Sequence, residues 1–187
     1  GAPAFSPDGR QLALTLGGSG GNLEIYVLDL ASQQLTRITD DPAIDTEPAW
    51  SPDGQTLYFN SDRGGSPQIY AVAARAGATA SRVSFDVPYA ARPRVSPDGK
   101  QLALMIQDGA VSRVAVLDLA TRQITALSRG PLDESPSFAP NGATLIHAGR
   151  DRGQGVLATI SVDGQVSIRL KSDQGEVREP VWGPFAN

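Results

Sequence analysis

One tetrapeptide constrains this chain more than any other feature. Ser-Pro-Asp-Gly stands at 6–9, 51–54 and 96–99, and a softened copy, Ala-Pro-Asn-Gly, at 139–142. The steps between copies are 45, 45 and 43 residues. Each copy has the chemistry of a tight turn. Serine suits the first position of a type I turn, proline presets φ at the second, and glycine suits the fourth. Asp or Asn at the third position can hydrogen-bond its own backbone. These residues are therefore expected to be scaffold rather than catalytic machinery.

The flanks repeat with the turn. A proline lies three residues ahead of each copy (Pro3, Pro48, Pro93, Pro136), and a bulky apolar residue directly precedes it (Phe5, Trp50, Val95, Phe138). A short apolar strand follows each turn: RQLALTL, QTLYFN, KQLALMI and ATLIHAG. After a gap come LEIYVLDLAS, PQIYAVAARAG, SRVAVLDLAT and GVLATISVDG, and then QLTRIT, ASRVSF, QITALS and QVSIRL. The unit is thus four strands, lettered A to D, with the tetrapeptide between A and B. Four-stranded units of about 40–45 residues are the mark of β-propeller blades. The strands are rich in Val, Ile and Leu and alternate poorly, as sheets covered on both faces do. The expected fold is all-β, a β-propeller of four complete blades at about 2–40, 46–85, 91–128 and 134–170. A closing strand is expected at 177–185, where Pro180 and Trp182 repeat the phase of Pro48 and Trp50. The chain opens inside a repeat, so the ring is expected to be truncated at its front. Its exposed blade face is expected to drive self-association.

Composition excludes several classes. Sixteen Lys and Arg against 20 Asp and Glu give a net charge of −4, the wrong sign for a nucleic-acid surface. Cysteine is absent, which removes disulfides and thiolate metal sites and leaves the redox compartment open. No apolar run approaches the roughly 18 residues that a membrane-spanning helix needs. The 20 glycines and 14 prolines fall between the apolar runs, where turns belong.

The ordered set GAPAFSPDG, LEIYVLDLAS, DTEPAWSPDG, LDESPSFAPNG and EPVWGPF resembles the TolB family of the Tol–Pal system of Gram-negative bacteria, across the whole chain. The resemblance implies an N-terminal α/β domain and a six-bladed propeller. This chain would supply the last four blades and the closing strand. It implies a non-catalytic periplasmic protein of envelope integrity, whose propeller binds the lipoprotein Pal and Pal-mimicking colicin segments. The family's TolA-binding segment, at the mature N-terminus, is expected to be missing here.

In a propeller the A–B and C–D turns share one face, and the D–A connectors and B–C loops share the other. The connectors DDPAIDTEP, DVPYAARP, RGPLDESP and SDQGEVREP lead into the innermost strands, so their last residues are expected to ring the channel mouth. They vary more than the turns, as a recognition surface does. The candidate partner-binding residues are Asp45, Thr46, Glu47, Tyr89, Arg92, Asp133, Glu134, Ser135, Arg178 and Glu179. Ala2 joins them from the retained Gly-Ala-Pro. Thr46 and Glu47 stand out because Thr-Glu-Pro is the family's pattern. Tyr89 and Arg92 depart from the more polar or acidic residues of other members. Pro48 is expected to hold Glu47 extended. No cofactor is expected. Ca²⁺ at the mouth is an alternative, if Glu47, Glu134 and Glu179 converge to offer oxygen ligands.

Other motifs carry less. GGSGG at 17–21 fits the G-x-S-x-G nucleophile elbow only formally, because it lies between two strands instead of a strand and a helix. The lone histidine, His147, has no cysteine beside it in the sequence to make zinc plausible and reads as a strand residue. GRDRGQG at 149–155 lacks the Walker lysine and a following helix. It is a B–C loop, the counterpart of SDRGG at 61–65. Asp29 and Asp118 read as local caps of a strand end. A rival to the binding module is the propeller of a serine peptidase gating a hydrolase domain.

Overall fold

The computed structural model describes residues 3–17, 21–151, 153–170 and 177–183. Among them every regular element is a strand. The first sheet holds β1 (Ala4–Phe5), β2 (Gln11–Gly17), β3 (Leu23–Asp29) and β4 (Leu35–Arg37). The second holds β5 (Asp45–Trp50), β6 (Thr56–Ser61), β7 (Gln68–Ala73) and β8 (Ser81–Arg82). The third holds β9 (Tyr89–Val95), β10 (Gln101–Asp108), β11 (Val111–Asp118) and β12 (Ile124–Ala126). The fourth holds β13 (Glu134–Phe138), β14 (Thr144–Asp151), β15 (Gln154–Ser161) and β16 (Ser167–Leu170). Each sheet has four strands in chain order, the topology of a propeller blade. Two compact units divide the chain: 1–85 with 89–93, and 86–88 with 94–187.

The repeated tetrapeptide builds the A–B turn as its chemistry requires. In the first copy Gly9 N–H donates to Ser6 O at 2.9 Å, and Gly9 has φ +69°. Ser6 Oγ donates to Asp8 Oδ1 at 2.6 Å and accepts from Gln11 N–H at 2.9 Å, while Arg10 N–H donates to Asp8 Oδ1. The second and third copies repeat every one of these bonds. The fourth has lost serine and keeps the glycine turn and the Asn141 bond. Within each unit neighbouring turns lie side by side: Pro7 approaches Gly54, and Pro97 approaches Gly142. The same device closes the C–D turn of the fourth sheet. There Ser161 donates to Asp163, and Gly164 has φ +71°. Asp29 and Asp118 each accept two backbone N–H groups of their own C–D turns, as strand-end caps.

The sheets pack face to face. In the first unit Ala13, Ile25, Val27 and Ile38 meet Trp50, Leu57, Phe59, Tyr70 and Val72. In the second, Ala103, Val114, Val116 and Leu127 meet Phe138, Leu145 and Ile160. Trp50 Nε1 also donates to Ala4 O at 3.0 Å, tying neighbouring A strands. Residues 177–183 form no ladder among the described residues. Trp182 N–H donates to Ser137 Oγ at 3.2 Å.

The A strands differ from expectation at one point. Glu47 is not extended: its φ is +56°. Arg92, Ser135 and Glu179, each also followed by proline, have φ +59°, +55° and +47°. The cause is the proline itself, which has no N–H for the ladder and is tolerated in a sheet only at an edge or a bulge. The pairing steps from Thr46↔Asn60 to Ala49↔Tyr58, and from Glu134↔Ala148 to Ser137↔Ile146. One extra residue is thereby accommodated in each A strand, a β-bulge. The left-handed residue absorbs it and is re-aimed.

Candidate protein-binding site at the connector ends of the strands

The first unit brings three of the candidates together. Arg92 N–H donates to Glu47 Oε2 at 3.1 Å, and Arg92 Nε lies 3.7 Å from Glu47 Oε1. Tyr89 stands beside both. Its phenol is held above its ordinary pKa, first by burial and then by the Glu47 carboxylate, with Arg92 opposing. Thr46 Oγ1 accepts from Asn60 Nδ2 at 3.4 Å across the ladder. Thr46, Glu47, Tyr89 and Arg92 are all half-buried, so each keeps a surface for a partner.

In the second unit Glu134 and Arg178 line a cavity of about 420 Å³ with Ser112, Leu132 and Arg150. Glu179 is exposed and Ser135 is buried. Ala2 lies outside the described residues, as does Ser19 of GGSGG.

The two aspartates of the candidate set point inward. Asp45 is fully buried, and Arg63 Nη2 donates to its Oδ2 at 2.7 Å. Burial pushes the Asp45 carboxyl above its ordinary pKa, with Ser61 and Arg63 opposing. Arg63 in turn lies 4.9 Å from the Tyr70 ring centre and 5.5 Å from that of Phe59. Asp133 is also buried and accepts from Gly130 N–H at 2.8 Å. Sequence reasoning placed both at the rim because a side chain's direction at a strand end depends on the neighbouring sheet. His147 is a buried strand residue, as its sequence context implied. No group of three or more His, Asp and Glu side chains is arranged to hold a metal ion among the described residues. No helix there is long and apolar enough to cross a membrane.

Half-buried, mutually bonded and backbone-fixed, these polar side chains suit recognition of another surface. Comparison with known proteins bears on the family. The family model described as the TolB beta propeller domain matches residues 1–186. The Tol-Pal system protein TolB of Ruthia magnifica is 56% identical over 184 residues, covering 98% of this chain and 43% of that protein. TolB of Methylobacillus flagellatus is 57% identical over 79 residues, or 42% of this chain and 18% of that protein. The crystal structure of TolB from Acinetobacter baumannii superposes with a TM-score of 0.90 at 44% identity, over 99% of this chain and 46% of that one. The chain therefore spans less than half the length of these relatives. A puromycin-hydrolysing peptidase of Mycobacterium tuberculosis shares the fold at 19% identity and a TM-score of 0.73.

Proposed function

The chain belongs to the TolB β-propeller family, and from that premise we propose that it is a non-catalytic, periplasmic protein-binding module of the Tol–Pal system. Its partner is Pal, with Pal-mimicking colicin segments competing for the same connector end of the strands. The observation that carries this reading is the cluster of Glu47, Tyr89 and Arg92 beside the Thr46–Glu47–Pro48 bulge. A carboxylate already held by a neighbouring N–H loses little freedom when a partner docks, so less of the binding free energy goes into ordering it. The peptidase reading has only the shared fold behind it.

Calorimetric titration of Pal against two variants of the full-length protein tests the proposal. Glu47→Ala is expected to weaken binding at least tenfold, about 1.4 kcal/mol. Asp8→Ala removes a turn hydrogen bond at the other end of the strands and is expected to lower stability with affinity unchanged. The opposite pattern would mean that Pal docks on the turn end.

A further inference from the structure

The second and fourth sheets treat the same buried aspartate differently. Asp45 and Asp133 each precede the A-strand proline by three residues. Asp45 has its cation: Arg63 reaches it at 2.7 Å and lies over Tyr70 and Phe59, which face each other across β6 and β7. In the fourth sheet the corresponding cross-strand pair is His147↔Ala158. The phenyl ring gives way to a smaller imidazole, and the phenol ring is gone. Gly149 replaces Ser61 at the position beside the carboxylate, and a Cβ there would collide with Asp133 Oδ1. A cavity of about 580 Å³ opens where the aromatic filling would be. That volume is in the range of small-molecule sites.

Asp133 lines this cavity without a guanidinium partner among the described residues. It is 6% exposed, and its partners are one backbone N–H and His147 Nδ1 at 3.9 Å. That ring nitrogen is closer to Ala148 O, at 3.2 Å. A carboxylate this buried is costly unless a cation and hydrogen bonds compensate it. The rest of the lining has the opposite sign: Arg129, Arg150 and Arg169. A purely cationic ligand would meet their repulsion, and a purely anionic one would meet Asp133.

We propose that this cleft between the fourth sheet and the connector after β12 binds a compact ligand of the arginine type, its guanidinium group beside Asp133 and its carboxylate among the arginines. The cation takes the place that Arg63 occupies in the second sheet. Such a ligand comes either as a free amino acid of the arginine type or as the C-terminal arginine of a peptide. The site shares no residue with the Glu47 cluster, and the proposal does not rest on Pal binding.

Calorimetric titration of the 187-residue chain tests it, with L-arginine, L-citrulline, agmatine and the peptide Gly-Gly-Arg as probes. Saturable binding is expected of L-arginine or of Gly-Gly-Arg. L-Citrulline, whose side-chain urea replaces the charged guanidinium, and agmatine, which lacks the carboxylate, should each bind at least tenfold more weakly than L-arginine. Binding of the peptide alone would support the site and assign it to a chain terminus, with the amidated peptide then expected to bind tenfold more weakly. Asp133→Asn should lower the affinity at least tenfold. Ala158→Tyr, which refills the cleft in the manner of Tyr70, should do the same in a folded chain, while Glu47→Ala leaves it unchanged. Failure of both arginine probes, citrulline or agmatine matching arginine, or Ala158→Tyr binding like the wild type would each overturn the proposal.

Discussion

Glu47 and Arg92 occupy the same position in consecutive repeats, 45 residues apart, and they bond to each other. Both have left-handed backbone, and the Arg92 N–H, not only its side chain, is held by the Glu47 carboxylate. The two partners are therefore unequal. Glu47→Ala removes the acceptor of a backbone N–H and is expected to cost about 1–2 kcal/mol. Arg92→Ala leaves that bond in place and loses a half-exposed ion pair, worth less than about 1 kcal/mol. Urea denaturation of the two variants and their double checks the order. Equal costs would mean that the side-chain pair dominates.

The C–D turns offer a cheaper test of backbone strain. Gln33 and Arg122 have φ +59° and +64°, where the other two sheets place Gly77 and Gly164. A non-glycine residue in this region carries about 1–2 kcal/mol of strain, and glycine loses roughly 0.5–1 kcal/mol through its extra unfolded freedom. Gln33→Gly is expected to raise stability by about 0.5–1 kcal/mol, read from the urea midpoint at unchanged slope.

Arg63 is the single side chain whose loss should damage the first unit most. It pairs with buried Asp45 and covers Phe59 and Tyr70. Arg63→Ala strands the Asp45 charge and is expected to cost about 3–5 kcal/mol. Adding Asp45→Asn should recover part of that loss, since the stranded charge is then gone. Arg63→Lys should rescue poorly, because a point charge lacks the planar group that stacks on the rings. Thermal unfolding of the three variants decides it.

Glu24 should govern acid stability. It is fully buried in β3 and accepts from Arg37, Thr39, Asn22 and the Asp41 N–H. Burial alone would raise its pKa, but bonds from Thr39, Arg37, the Asp41 N–H and Asn22 outweigh it and hold the carboxyl below the ordinary 4.5. A depressed folded pKa means that the unfolded state takes up the proton first. The stabilisation is complete above about pH 4.5 and is lost as pH falls through the folded value. The urea midpoint of the wild type should drop across that acid window. Glu24→Gln should be less stable at neutral pH and show a shallower acid slope.

Sequence reading reached the blades because their determinants are local. Ser-Pro-Asp-Gly forms the same turn wherever it falls, since Ser6, Asp8 and Gly9 satisfy one another within a few residues. The aspartate caps at Asp29 and Asp118 were legible for the same reason. The Ser161–Gly164 turn was missed only because it lacks the proline, although Ser161 and Asp163 carry the same bond.

The candidate site was legible by position and not by orientation. Repeat phase placed Thr46, Glu47, Tyr89 and Arg92 at the connector ends, but the direction of each side chain is a property of contacts between sheets. Proline's missing N–H is written in the sequence, and so is the need for a bulge. That the bulge turns Glu47 left-handed and hands it to Arg92 depends on the register of β5 on β6 and on the next A strand lying beside it. The fate of the two aspartates is equally remote from local sequence. Asp45 is answered by an arginine 18 residues away and by rings on two further strands, whereas Asp133 faces a cavity. Turn chemistry acts within a few residues and is fixed by composition. Burial and charge pairing act across sheets, so only the packed structure decides them.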